Sequence, residues 1–115
     1  MGTAPRCPVA LTVEMIGGKW KSVILYFLLR DGTLRFGEIR ARVPSVTQRM
    51  LTLQLRELEA DGLISRTVHP VVPPRVDYSL TAFGRSLGPV IDVMMEWGNR
   101  HRARCERVIG DRSAA

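Results

Sequence analysis

The proline-rich segment at residues 69–75 constrains the fold more than any other feature of this 115-residue chain. Its three prolines are excluded from a helix interior and from a central strand, because proline lacks the backbone donor and its ring clashes with the preceding turn. The runs on either side, residues 63–69 and 75–80, carry Ile, Thr, Val and Tyr, which favour strands. The sequence therefore predicts a β-hairpin with a long tip.

The chain before residue 45 carries the signals of three helices. The first begins at Pro8, a residue that suits a first helical turn, and ends at Gly17 and Gly18. The second ends near Gly32, and a short third helix is closed by Pro44. Apolar residues recur at helical spacing in each segment, which predicts that one face of each helix is buried.

A fourth helix is predicted over residues 47–60, with Thr47 as its N-cap and an apolar staple across the cap. At 3.6 residues per turn, the leucines at 51, 55 and 58 share one stripe, and Arg49, Thr52 and Arg56 lie on the opposite side. One face is therefore predicted to pack and the other to be presented.

A final helix is predicted from Thr81, with apolar residues every three or four positions up to Trp97. Pro89 is expected to bend or interrupt this helix near Gly88. We predict a single domain over residues 7–107, a flexible segment at residues 1–6 and a frayed tail at residues 108–115.

The charge balance is basic: 17 Lys and Arg against 11 Asp and Glu give a net charge of +6, and 15 of the 17 cations are Arg. The planar fork of Arg suits phosphates and base edges because it donates two parallel hydrogen bonds. A basic surface also fits an acidic protein partner or serves solubility, so charge alone leaves nucleic acid and protein partners open.

The sequence lacks the signals that several classes of protein require. The longest stretches without a charge are eight residues, against roughly 20 for a membrane-spanning helix. The N-terminus has no apolar signal core, so we expect a cytoplasmic protein. No phosphate-binding loop, nucleophile elbow, catalytic carboxylate pair or metal-ligand spacing is found, so we expect neither an enzyme nor a metal or other cofactor.

The order of elements, three helices, a tight turn, a capped helix, a hairpin and a helix, is that of a winged helix-turn-helix domain, a mainly α fold with a small β-hairpin wing. In that fold residues 47–60 form the recognition helix in the major groove. Arg and Gln can each make paired hydrogen bonds to base edges, and Thr can reach a phosphate or a thymine methyl group. The candidate DNA contacts are Thr47, Gln48, Arg49, Thr52 and Arg56 on the helix, and Arg66, His69 and Arg75 at the tip of the wing.

A bland alternative stays open for both sets of residues. Gln, Arg and Thr also populate the solvated face of any surface helix, and Leu53 departs from a purely polar face. Likewise, the prolines of the predicted wing either stiffen a DNA-contacting tip or merely end the strands.

Ordered motifs along most of the chain resemble those of the HxlR-type transcriptional regulators. They are CPV at residues 7–9, IGGKWK at 16–21, LRFGEI at 34–39, MLTLQLRELE at 50–59, DGLI at 61–64, VPPRVDYSLT at 72–81 and WG at 97–98. The resemblance implies a dimeric bacterial winged-helix DNA-binding regulator, related to the MarR-like regulators. Leu53 stands where such regulators commonly have a polar residue.

Dimerisation also has a reason in the sequence, because the first and last helices carry apolar stripes that a domain of this size has little core to cover. The alternative is that these residues complete the core of one protomer. The predicted dimer interface comprises Val9, Val13, Ile16, Val90, Ile91, Met94 and Trp97.

Cys7 is a candidate redox-sensing residue. It precedes Pro8 at a helix N-terminus, where backbone donors and the helix dipole favour a thiolate, and Arg6 is a positive neighbour. The resemblance implies that an oxidant, quinone or electrophile can act at the position of Cys7, with Cys105 as a second thiol. Two inert thiols, a regulator with a noncovalent effector and a winged-helix protein-interaction module remain open alternatives.

Overall fold

The computed structural model describes residues 6–114, and within them seven helices and one three-stranded sheet. The elements in chain order are α1 (Pro8–Ile16), α2 (Lys21–Asp31), β1 (Leu34–Arg35), α3 (Phe36–Arg42), α4 (Gln48–Ala60), β2 (Ile64–His69), β3 (Arg75–Leu80), α5 (Ala82–Arg85), α6 (Gly88–Arg100) and α7 (Arg102–Ala114). This mainly helical fold with a small antiparallel sheet confirms the predicted fold class.

The sheet has the strand order β1-β3-β2, and both pairings are antiparallel. β2 and β3 form the predicted hairpin, whose last pair before the proline-rich loop is His69 with Arg75. The third strand was not predicted: β1 pairs Leu34 with Tyr78. Two residues are too few to show an alternating pattern, and β1 extends only because the edge of β3 is free to accept it.

One hydrophobic core joins the helices to the sheet. The leucines of α4 at 51, 55 and 58 are buried together with Ile24, Leu25 and Leu28 of α2, with Leu63 just before β2 and with Leu80 at the end of β3. Burial of each such side chain contributes about 1.5–3 kcal/mol, so these apolar stripes supply most of the driving force for the fold. The core therefore determines which face of α4 remains outside.

The turn between α4 and β2 is joined to α5 through Thr81. Its hydroxyl donates to the carbonyl oxygen of Gly62 at 2.6 Å, lies 3.1 Å from that of Leu63, and accepts from the backbone N–H of Gly84 at 3.0 Å. A Cβ on Gly84 would lie 2.0 Å from the carbonyl oxygen of Leu63, which only glycine avoids. This contact holds α5 close against the turn that follows α4.

The predicted final helix is divided into α5 and α6, and a further helix, α7, follows it. Pro89 lies in the first turn of α6, where its missing N–H breaks no helical hydrogen bond, and the helix is interrupted between Arg85 and Gly88 as predicted. Helix α7 runs to Ala114 and so includes most of the segment for which the sequence predicts a frayed tail; residue 115 lies outside the described residues. The i,i+4 pair of Arg102 with Glu106 lies in the first turns of α7 and favours the helix.

Residues 1–5 of the predicted flexible segment lie outside the described residues. Within the described range, no helix has the length and hydropathy that crossing a bilayer requires.

Candidate nucleic-acid interface

The start of α4 is built as the sequence predicts. Thr47 is the N-cap, and its side-chain oxygen accepts from the backbone N–H of Met50 at 3.1 Å. Val46 and Leu51, the two residues of the predicted staple, are both buried. The cap and the staple together set the angle at which the helix leaves the turn.

The solvent face of α4 is polar and basic. Arg49 and Arg56 are exposed on the side opposite the three buried leucines, and Gln48 is exposed in the first turn of the helix. Among residues 6–114, neither Arg49 nor Arg56 takes part in an ion pair. Both guanidinium groups are therefore available to an external anion.

Thr52 is half-buried and differs from its neighbours on this face. Its hydroxyl donates to the carbonyl oxygen of Gln48, one turn earlier in α4, at 2.9 Å. The hydroxyl proton is thus used within the helix. What Thr52 offers outward is its methyl group and the remaining acceptor capacity of its oxygen.

Two ion pairs connect α4 to neighbouring elements. The Lys21 ammonium at the start of α2 lies 2.8 Å from a carboxylate oxygen of Glu57, and the Arg66 guanidinium on β2 lies 3.5 Å from one of Glu59. Such pairs at a surface contribute at most about 1 kcal/mol each, so their main effect is on the orientation of the helix.

The wing differs from the prediction in the contacts of Arg66, His69 and Arg75. Arg66 is held against α4 by Glu59 instead of reaching the tip. His69 Nε2 lies 2.9 Å from Oδ2 of Asp77, and the Arg75 guanidinium lies 3.3 Å from the same oxygen, at the base of the loop. The prediction is wrong for Arg66, which lies within β2, whereas His69 and Arg75 form the strand pair next to the loop and both contact the Asp77 carboxylate. The tip itself, residues 70–74, is uncharged.

A cleft separates the wing from α4, lined by Thr52, Leu55, Arg56, Glu59, Arg66 and Tyr78. Burial raises the pKa of the Tyr78 hydroxyl. Sequence reasoning did not select Tyr78 as a site residue. The signal was its place on β3 directly opposite Arg66 on β2, which becomes visible only once the hairpin register is known.

The predicted dimer interface divides into two groups. Val9, Val13, Met94 and Trp97 are exposed and Val90 is half-buried, so these side chains have surface to offer. Ile16 and Ile91 are only 6% and 3% exposed and belong to the core of the protomer, so their assignment to an interface is wrong. They share the apolar spacing of their helices, but they lie on the side that faces the core. Exposed apolar side chains also occur at residues the prediction omitted, among them Val93, Val108 and Ile109.

Both cysteines are free thiols. Cys7 is exposed at the N-cap of α1, and Cys105 is half-buried on α7. The Arg6 guanidinium, which the sequence places next to Cys7, pairs with the carboxylate of Glu14 near the end of α1. In the described part of the chain, no three His, Cys, Asp or Glu side chains lie close enough to hold a metal ion.

Helices α2 to α4, followed by the β2–β3 hairpin, define a winged helix-turn-helix protein, with α4 in the place of the recognition helix. The chain belongs to the HxlR-like helix-turn-helix family, whose model matches residues 15–106. It is a transcriptional regulator with a helix-turn-helix domain, as its relatives are.

Three similar proteins illustrate this membership. YdeP of Bacillus subtilis, an uncharacterized HTH-type transcriptional regulator, is 55% identical over 108 residues, which are 94% of this chain and 84% of YdeP. The redox regulator HypR in its reduced form is 54% identical, with a TM-score of 0.81 over 88% of this chain and 99% of that one. HypR in its oxidized form is 57% identical, with a TM-score of 0.77 over 82% and 96%.

Proposed function

We propose that the protein binds operator DNA as a homodimer, with α4 of each protomer in the major groove. The observation that carries this proposal is the outer face of α4, where Arg49 and Arg56 are exposed opposite three buried leucines, together with Gln48, which is exposed in the first turn of the helix. Gln and Arg are the side chains that contact base edges through paired hydrogen bonds. Arginines with no carboxylate partner in the described chain also attract phosphates.

In the proposed dimer, a second copy of the chain buries the apolar side chains that α1 and α6 expose. Val9 is 69% exposed and Trp97 is 61% exposed, and Val13 and Met94 lie on the same two helices. A twofold dimer places two recognition helices in successive major grooves about 10 base pairs apart. The operator is therefore expected to be an inverted repeat.

Regulation is proposed to act through Cys7. An oxidant removes two electrons and two protons from two thiols and leaves one disulfide, with Cys105 as the second thiol; an electrophile instead bonds to the Cys7 sulfur, which loses its proton. Cys7 begins α1, a helix of the proposed dimer face, so its modification is expected to change the placement of the two α4 helices. The similarity to HypR, a redox regulator, supports this part of the proposal.

The test is a titration of the purified protein against a duplex from the region upstream of its own gene, with a scrambled duplex of the same composition. Fluorescence anisotropy at fixed salt compares reduced and diamide-treated samples. We expect tight, sequence-dependent binding by the reduced protein and a changed affinity after diamide. Cys7→Ser is expected to bind like the wild type and to lose the response to diamide. A non-reducing gel then shows whether Cys105 is joined to Cys7 within one chain or between two.

The outcomes separate the parts of the proposal. Tight binding that diamide does not change contradicts sensing by Cys7 and leaves a noncovalent effector. Equal binding to both duplexes by both samples contradicts operator binding and favours a protein-interaction module. Affinity for DNA should fall steeply with added salt, since phosphate contacts release counterions.

A noncovalent effector is the second candidate, and one feature favours it. A concave surface between α6 and α7 is lined by Trp97, His101, Arg104, Cys105, Val108, Ile109 and Arg112. The rings of Trp97 and His101 lie 5.0 Å apart at its edge. Apolar walls with a few cations suit an aromatic or aliphatic anion. A thermal-shift screen of aromatic carboxylates tests this candidate, and Trp97→Ala is expected to abolish any shift.

A further inference from the structure

Leu53 is an apolar side chain in the middle of the basic face of α4. Arg49, Thr52, Leu53 and Arg56 follow the spacing i, i+3, i+4, i+7 and form one stripe along the helix. Leu53 is 47% exposed, and it lines a shallow hollow together with the other members of the stripe. The stripe thus has a guanidinium at each end and a leucine near its centre.

The neighbours of Leu53 leave the centre of the stripe apolar. The hydroxyl of Thr52 donates to the carbonyl oxygen of Gln48 within α4, which turns its hydrogen-bonding proton inward. Met50, the other large apolar side chain exposed on α4, has its sulfur 3.4 Å from the amide nitrogen of Gln54, on the flank of the helix. Leu53 therefore presents an apolar side chain to the solvent between Arg49 and Arg56.

Leucine can match only one kind of group in the major groove. Pressed against a polar base edge, it would leave a donor or acceptor desolvated and unpaired, which costs free energy. The 5-methyl group of thymine is the one apolar group that the four bases present in that groove. We infer that Leu53 recognises a thymine in each half-site by contact with its 5-methyl group. This inference rests on the proposed function and names the base that one residue of α4 selects.

The experiment removes that methyl group and nothing else. The reduced wild-type protein first selects its preferred sequence from a pool of random duplexes of about 20 base pairs, long enough for two half-sites. The selected duplex is then made with each thymine replaced in turn by deoxyuridine, and the dissociation constants are measured by anisotropy. We expect binding to weaken about fourfold at one thymine of each half-site and hardly at the others, the size expected for one buried methyl group. Replacing cytosine by 5-methylcytosine at that position should recover part of the loss of a thymine-to-cytosine change.

The variant Leu53→Ala tests the assignment to this residue. It is expected to bind the thymine and deoxyuridine duplexes equally, because the methyl group has lost its partner. The matched control is Val108→Ala, which truncates a side chain of similar exposure, 48%, on α7. That control is expected to keep the fourfold ratio even if its overall affinity changes, since the ratio is independent of dimer stability. Circular dichroism confirms that both variants are folded.

Each outcome is decisive. If the wild type enriches no sequence, both operator binding and the role of Leu53 are overturned. If a sequence is enriched but no deoxyuridine substitution weakens binding, operator binding stands and the thymine contact is overturned. If Leu53→Ala keeps the sensitivity at the same thymine, another side chain makes the contact.

Discussion

The hydroxyl of Thr81 joins the turn between α4 and β2 to α5, so Thr81→Val is expected to destabilise the protein more than its position at a helix start suggests. Valine keeps the shape of the side chain and removes the hydroxyl. The donor to the carbonyl oxygens of Gly62 and Leu63 is lost, and the backbone N–H of Gly84 loses its acceptor. Counted as two hydrogen bonds of about 1 kcal/mol each, the loss is about 2 kcal/mol.

The assay is urea denaturation followed by circular dichroism, at one protein concentration because the proposed dimerisation would make stability depend on concentration. In a separate thermal scan, a loss of about 2 kcal/mol corresponds to a fall in Tm of about 8 °C, since the entropy of unfolding is about 2.1 cal/mol/K per residue over 115 residues. Thr12→Val is the matched control, since the hydroxyl of Thr12 donates only to the carbonyl oxygen of Pro8 within α1. The reasoning is refuted if Thr81→Val unfolds within about 0.5 kcal/mol of the wild type, or if the control loses as much.

Three further changes test other parts of the structure. Arg49→Ala should cost about 1–3 kcal/mol of discrimination between operator and scrambled duplex, and an unchanged ratio of dissociation constants would contradict base recognition by Arg49. Leu58→Ala removes a fully buried side chain and should lower the free energy of unfolding by about 2–5 kcal/mol; a value under about 1 kcal/mol in the denaturation assay would contradict its place in the core. Hydrogen bonds from Arg30 and then Arg42 lower the pKa of Asp31 from 3.8 to about 2. A lowered pKa stabilises the fold above the unfolded value, so the stability lost by Asp31→Asn should shrink as pH falls from about 4 to about 2, and a difference that stays constant over this range would refute the pairing.

Most of the helices and the hairpin were predictable because short-range signals decide them. Pro8 in a first turn, Thr47 at an N-cap and Pro89 as an interruption act through the backbone within a few residues. The leucine stripe of α4 likewise predicts its buried face from spacing alone. The structure confirms these features, which depend on neighbouring residues and not on contacts between distant segments.

The errors concern contacts between distant segments. β1 forms because one edge of β3 is free to pair with it. A strand of two residues is too short to show a sequence pattern that would predict it. His69 and Arg75 both contact the Asp77 carboxylate because the hairpin register brings these three side chains together. The sequence shows the charges, but which of them are neutralised depends on distances between side chains that only the paired strands define.

The sequence by itself determined the order of the elements, the capped helix with one apolar and one basic face, and the membership of a helix-turn-helix class. Only the tertiary structure decided which apolar residues face the core and which face outward. Ile16 and Ile91 are buried, whereas Val13 and Met94, at equally helical spacing on the same two helices, are exposed. Periodicity defines a face of a helix, but what lies against that face is settled by the packing of the whole chain.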